Sequence, residues 1–65
     1  MNAFGYGKFA MVLAAHARVE GMVAENQQRE ALGQSMAYTS HDFELEARTM
    51  EDLSREILEN GWRPD

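Results

Sequence analysis

A long segment without proline, from Lys8 to Leu32, sets the architecture of this chain. It is rich in Ala, Met, Leu, Glu, Gln and Arg, which are the stronger helix-forming residues. Large side chains recur along it in alternating steps of three and four, as they do on one face of a helix. The residues of this row are Phe9, Val12, His16, Val19 and Val23, with His16 as the amphipathic member. We therefore expect one long helix, from about residue 4 to residue 32.

Gly33 marks the expected end of helix 1, because glycine adopts the left-handed conformation of a helix C-terminus at little cost. A second start signal follows a short distance later. Thr39 as the N-cap and Asp42 at the third helical position predict a capping box. Tyr38 and Phe43 flank the same boundary with the spacing of a hydrophobic staple.

Helix 2 is therefore expected over residues 40–60, after a linker over residues 33–39. One face of this segment is apolar and the other is mostly charged. The apolar residues are Phe43, Ala47, Met50, Leu53 and Ile57. Gly61 should end the helix in a Schellman motif, with Trp62 packed back onto its last turn and a tail over residues 61–65.

Two helices joined by a short linker predict a single all-α domain over residues 1–65, folded as a two-helix antiparallel hairpin. A chain of 65 residues buries only about 60% of the surface that its unfolded form exposes, so its own core is marginal. Small domains offset that deficit with disulfides, a metal or oligomerisation. Because the sequence contains no cysteine, we expect a homo-oligomeric helical bundle, either a homodimer or a higher oligomer.

The N-terminal half of helix 1 should form the subunit interface. From Phe9 to Ala15 the chain is apolar on every side, and a helix that is apolar all round is buried all round. Helix 1 is also the longer helix, so we expect its N-terminal end to project beyond helix 2. Small residues beside the apolar row, among them Gly21, predict a close helix crossing. The expected interface residues are Phe4, Phe9, Val12, Leu13, His16, Val19, Gly21 and Val23.

The charge distribution limits the classes of partner. The formal net charge is −5, and the six basic residues are spread singly along the chain. Phosphate backbones are bound by clustered Lys and Arg, so we expect no nucleic-acid backbone as a partner. The apolar run of helix 1 is too short to span a bilayer, and no cationic stretch precedes it, as a secretory signal requires. We therefore expect a cytoplasmic protein without a membrane partner.

The N-terminal segment places Phe4 and Tyr6 beside glycines and Lys8. Aromatic rings that stack on a base and a lysine that holds a phosphate would make a pocket for a small nucleotide-like ligand at subunit junctions. The alternative, which we favour, is an N-terminal arm in which Phe4 and Tyr6 clip onto a neighbouring subunit. The spacing of a P-loop is absent.

His16 and Glu20 stand four residues apart on helix 1, a spacing that can bring both to one metal ion. A di-metal carboxylate bundle needs further inward Glu and Glu-x-x-His ligands, which this chain lacks. We interpret His16 as an amphipathic residue at the edge of the core, and we expect no metal and no cofactor. We also identify no catalytic residue, because the serines have no convincing base and the carboxylates of an exposed helix lack the burial that tunes them.

Asn26 continues the row of Val19 and Val23 toward Glu30. A buried Asn in a helical bundle often fixes the register or the oligomeric state. The other interpretations are a polar group in a pocket and a helix end that becomes solvated. We favour register setting or solvation, because the neighbouring residues are strongly polar.

A set of residues in the middle third of the chain resembles small helical proteins carried by bacteria and their phages. These residues are the segment from Glu20 to Asn26, Arg29, Gly33, Ala37, Tyr38 and Phe43. In size and helix content the chain is also similar to short helical phage proteins that counter host defence, including oligomers that sequester cyclic nucleotides. The resemblance implies a helical fold and assigns no activity and no site residue.

Together these features favour a non-enzymatic, self-associating protein that binds another macromolecule, in the first place a protein, as an accessory or inhibitory factor of a bacterium or phage. An oligomeric binder or sponge of a small nucleotide-like ligand is the alternative. A di-metal carboxylate bundle is the third hypothesis.

Overall fold

The computed structural model describes residues 1–63, which form two antiparallel helices. α1 spans Ala3–Ala31, α2 spans Ser40–Glu56, and a π-helical turn, Ile57–Gly61, continues α2. The hairpin measures 52 Å along its longest axis and 16 and 9 Å across it. Each helix therefore has only one other helix to pack against. The predicted all-α, two-helix hairpin is confirmed, while residues 64 and 65 of the predicted tail lie outside the described residues.

α1 ends in a Schellman motif at Gly33, as the sequence predicts. Gly33 has a φ of 74°, in the left-handed region that glycine adopts without steric penalty. Its N–H donates to the carbonyl of Glu30 at 3.0 Å, and the N–H of Gln34 donates to the carbonyl of Arg29 at 2.8 Å. These two hydrogen bonds satisfy carbonyl groups that the end of a helix leaves without a partner.

α2 begins with the predicted capping box. The backbone N–H of Thr39 donates to the carboxylate of Asp42 at 2.8 Å, which satisfies the N-cap residue from within the first turn. The negative charge of Asp42 also lies at the helix N-terminus, where the helix dipole favours it. Because both groups belong to one turn of chain, local sequence was sufficient to predict this boundary.

The side chain of Asn26 holds the linker against the last turns of α1. Its Oδ1 accepts from the N–H groups of Ala37 at 2.9 Å and Tyr38 at 3.0 Å, and its Nδ2 donates to the carbonyl of Tyr38 at 2.8 Å. One amide group thereby satisfies three polar backbone groups of the linker. We expected Asn26 to set the register between helices or to be solvated, and both expectations are wrong. Asn26 instead anchors the linker.

The face of α1 that packs against α2 differs from the predicted row. We call it the hairpin seam, and its members are Gly5, Lys8, Val12, Ala15, Val19 and Met22. Ala15 is completely buried, whereas Phe9, His16 and Val23 are exposed. Both rows contain Val12 and Val19 and share the same spacing. The short side chain of Ala15 allows α2 to approach closely on this side, which a histidine at the corresponding position would prevent.

The opposing face of α2 supplies the larger side chains of the seam. Its members are Phe43, Met50, Leu53 and Ile57, of which Leu53 and Ile57 are buried. Two ion pairs bridge the helices beside them. Lys8 Nζ lies 3.1 Å from the carboxylate of Glu56, and the Arg18 guanidinium lies 3.1 Å from that of Glu46. Pairs this accessible contribute about 0.2–1 kcal/mol each, so they align the helices more than they stabilise them.

Gly5 and Gly61 bring the two backbones into contact at the open end of the hairpin. A Cβ atom on Gly5 would lie only 2.7 Å from the carbonyl oxygen of Gly61. The N–H of Asn2 donates to that same carbonyl at 2.8 Å, and Asn2 Nδ2 donates to the carbonyl of Asn60 at 2.9 Å. We call this arrangement the terminal clasp. It ties the start of α1 to the end of the π-helical turn.

Three expectations from the sequence are wrong at the open end of the hairpin. α1 does not project beyond α2, because the linker folds back along α1 and the π-helical turn reaches Asn2. The close crossing lies at Gly5 and Gly61 rather than at Gly21, where an added Cβ would meet nothing within 4 Å. The Schellman ending at Gly61 is also wrong, since Gly33 has the only positive φ between residues 1 and 63 and Trp62 is exposed instead of packed back.

We predict that Gly5→Ala destabilises the hairpin by about 1–3 kcal/mol, because its methyl group would force the two backbones apart. Gly7→Ala is the matched control, since an added Cβ there meets no neighbouring atom within 4 Å. The control should be more stable than the unmodified chain by about 0.5–1 kcal/mol, as expected for a glycine inside a helix. Urea unfolding followed by circular dichroism at one fixed protein concentration measures both changes, and equal stabilities of the two variants would contradict the close crossing.

We predict that Asn26→Ala destabilises the chain by about 1–3 kcal/mol, because the three polar backbone groups of the linker lose their partner. Gln27→Ala, at the exposed neighbouring position, should change the stability by less than about 0.5 kcal/mol. Amide hydrogen exchange provides the specific readout. The N–H groups of Ala37 and Tyr38 should exchange faster in Asn26→Ala alone, and unchanged protection of both would show that the linker is held by something else.

Candidate interaction surfaces

Apolar side chains of this hairpin lie mostly outside its core. Within residues 1–63 the buried apolar residues are Ala15, Met22, Leu53 and Ile57, and no polar or charged side chain is buried. Thirteen large apolar residues of the same range are exposed. A hairpin of two helices has no third element to cover them. The candidate functional features are therefore surfaces.

The first surface covers the N-terminal half of α1, and we call it the α1 surface. Its members are Phe4, Tyr6, Phe9, Met11 and Leu13, all of which are exposed. α2 covers only the side of α1 that carries Gly5, Val12 and Ala15. Because five large side chains surround the remaining circumference, this part of the helix has the apolar perimeter that the sequence indicated.

The expected interface residues separate into two groups. Val12 and Val19 are half-buried in the hairpin seam, so they serve the contact within one chain. The others remain exposed on α1 in the hairpin. They are Phe4, Phe9, Leu13, His16, Gly21 and Val23.

The second surface is formed by Leu32, Met36 and Tyr38 at the linker, and we call it the linker surface. All three side chains are exposed, although the backbone that carries them is held on both sides. Gly33 fixes the end of α1 next to Leu32, and Asn26 binds the backbone of Tyr38. The result is a short apolar patch on a fixed backbone, a combination that lowers the entropic cost of binding a partner.

The linker surface was missed at the level of sequence. Leu32 reads as the last residue of a helix and Met36 as an isolated apolar residue of a linker. The composition of the linker could have indicated this surface. A solvated linker of this length is normally polar, whereas this one contains both Met36 and Tyr38. The patch depends on the hydrogen bonds from Asn26 to the linker, which are tertiary contacts that the local sequence does not predict.

The proposed ligand-binding trio is only partly assembled. Lys8 Nζ lies 5.4 Å from the centre of the Phe4 ring and 3.1 Å from the Glu56 carboxylate. The ammonium group therefore already has an anionic partner, which a phosphate would have to displace. Tyr6 lies two residues from both Phe4 and Lys8, which places it on the opposite side of α1. The geometry does not bring the three side chains around one pocket.

His16 and Glu20 form a loose pair on the exposed side of α1. The Nδ1 atom of His16 lies 3.7 Å from Oε1 of Glu20, and both side chains are largely accessible. Across the part of the chain that the structure describes, no three His, Asp or Glu side chains are grouped as metal ligands would be. In the same part, neither helix combines the length and the apolar character needed to cross a membrane.

Comparison with known proteins adds no relative to this picture. No protein-family model, no curated protein and no solved structure matches the chain. The resemblance of the middle third to small helical phage and bacterial proteins therefore stays an expectation from the sequence.

Proposed function

We propose that this protein is a non-enzymatic interaction protein that associates with itself through the α1 surface and binds another macromolecule, in the first place a protein. In this role it would be an accessory or inhibitory factor. The observation that carries the proposal is the imbalance between four buried apolar residues and thirteen exposed large ones among residues 1–63. Large exposed apolar patches on soluble proteins commonly mark interaction sites.

The total surface area supports self-association. A folded monomer of 7.4 kDa exposes about 4200 Å², whereas this chain exposes 4816 Å². Its radius of gyration is 15.3 Å, against about 11 Å for a compact domain of this length. The excess, about 600 Å², is comparable to the roughly 800 Å² that one partner buries in a standard interface. Association of two copies would therefore bring the exposed area per chain to the ordinary range.

The linker surface supports a second, different partner. It lies at the closed end of the hairpin, away from the α1 surface, so both surfaces are accessible at once. The net charge of −5 gives the molecule an acidic exterior. A partner with an apolar centre and a basic rim would match this arrangement, because complementary charge accelerates encounter and excludes wrong partners.

We predict that the chain sediments with at least twice its monomer mass of 7.4 kDa at micromolar concentration. Analytical ultracentrifugation or light scattering after size-exclusion chromatography measures this mass. The apparent mass should fall on dilution if association is reversible, because the population of an oligomer depends on concentration. A folded particle of 7.4 kDa over the whole concentration range would refute self-association.

We predict that the immobilised chain captures a specific protein from the lysate of its host, and that Leu32→Asp with Met36→Asp abolishes that capture. Both side chains are exposed, so the hairpin should fold normally in the double variant. Leu58→Asp, which changes an exposed leucine far from the linker, is the control and should capture the same protein. Equal recovery by both variants would show that the linker surface is not the binding site.

A further inference from the structure

α1 carries a second row of residues with the spacing of a coiled-coil seam. We call it the outer row, and its members are Tyr6, Phe9, Leu13, His16, Glu20 and Val23. They alternate in steps of three and four, as the core positions of a coiled coil do. Each member follows a residue of the hairpin seam by one position, which rotates it about 100° around the helix. A helix in a four-helix bundle packs against two neighbours in roughly this way, through two rows at about a right angle.

The outer row remains exposed in the hairpin. Tyr6 is 64% exposed, Phe9 47%, Leu13 55% and Val23 41%. The hairpin seam, one residue away, contains the completely buried Ala15. Within residues 1–63, α2 therefore covers the hairpin seam and leaves the outer row exposed.

A second copy of α1 is the occupant that the charges and the surface composition favour. On α2, the rows on either side of the seam are mainly polar, so α2 offers no apolar row of its own for the outer row to pack against. These flanking residues include Asp42, Glu44, Thr49, Glu51, Asp52, Ser54 and Glu56, and each side carries one exposed leucine, which is Leu45 on one side and Leu58 of the π-helical turn on the other. The α1 helix of a second copy presents a matching row.

The order of residues favours an antiparallel pair. In that orientation Leu13 can face His16 of the partner subunit, and the same register sets Tyr6 against Val23 of the partner subunit. The same register sets Phe9 against Glu20 of the partner subunit and keeps the two Glu20 carboxylates about 16 Å apart along the helix axis. A parallel pair would instead set Glu20 directly against its own copy, which like charge disfavours. Antiparallel helices also align their dipoles favourably.

We propose that two copies of this chain pair through the outer row of α1, antiparallel and with Leu13 near the two-fold axis, to form a four-helix assembly in which the two α1 helices are adjacent. This assignment rests on the self-association proposed above and specifies its surface, partner and orientation. The hairpin seam stays intact in the pair, because the outer row lies on a different side of α1.

The first test measures the dimer dissociation constant of the full chain and two variants by sedimentation equilibrium. Leu13→Glu should raise the constant about 100-fold or more, because each dimer loses two buried leucines and gains two charges. Leu58→Glu, at an even more exposed leucine in the π-helical turn, should leave it unchanged. If Leu13→Glu loses the helical circular dichroism of the unmodified chain, Tyr6→Glu repeats the test at a second position of the outer row.

The second test measures the orientation. The chain has no cysteine, so a nitroxide label on Gln28→Cys, an exposed position of α1, is unique. In the antiparallel pair the two labels are separated by about 40 Å along the helix axis, whereas a parallel pair brings them within about 20 Å. Pulsed electron paramagnetic resonance measures this distance.

The outcomes separate the two levels of the proposal. A dimer that neither Leu13→Glu nor Tyr6→Glu weakens, or one with the short label distance, overturns the outer-row pair and leaves self-association in place. A monomer at every concentration overturns both. A monomer that floats with phosphatidylcholine vesicles assigns the row to a lipid surface and also overturns the pair.

Discussion

A two-helix hairpin can bury only one stripe of each helix, and this constraint governs the rest of the structure. The hairpin seam uses the row of α1 that contains Gly5 and Ala15, which lets the helices approach until backbone meets backbone at Gly61. Such close packing favours dispersion contacts over burial of large side chains. Its consequence is that the large residues of α1 remain outside. The choice of face therefore produces the close fit of the hairpin and also decides which large residues of α1 stay exposed.

The sequence predicted those parts of the fold that depend on neighbouring residues. Gly33 and the pair of Thr39 and Asp42 set their helix ends through contacts within one or two turns, so both boundaries followed from the pattern. The choice of face did not follow, because Val12 and Val19 belong equally to the predicted row and to the observed seam. Only the fit against α2 distinguishes the two rows, and that fit is a property of the assembled pair of helices.

The two candidate surfaces also differ in whether the sequence alone could predict them. The apolar perimeter of α1 could be predicted, because a segment that is apolar on every side exceeds what one neighbouring helix covers, whichever face that helix takes. The overhang that we expected is nevertheless absent, because the π-helical turn continues α2 along this segment and Asn2 hydrogen-bonds to Gly61. The linker surface could not be predicted. It depends on Asn26, whose side chain turns an ordinary linker into a fixed backbone that presents Met36.

The two surfaces also differ in the kind of binding they support. In the pair proposed above, the outer row would pack along several turns of an identical helix. The linker surface is small and contains Met36, a side chain that adapts to varied partners. In the antiparallel pair the two linker surfaces would lie at opposite ends of the assembly, because each hairpin is 52 Å long and the copies point in opposite directions. Each end would therefore bind its partner without steric conflict, and a partner with two sites would gain avidity only if its linker spans that separation.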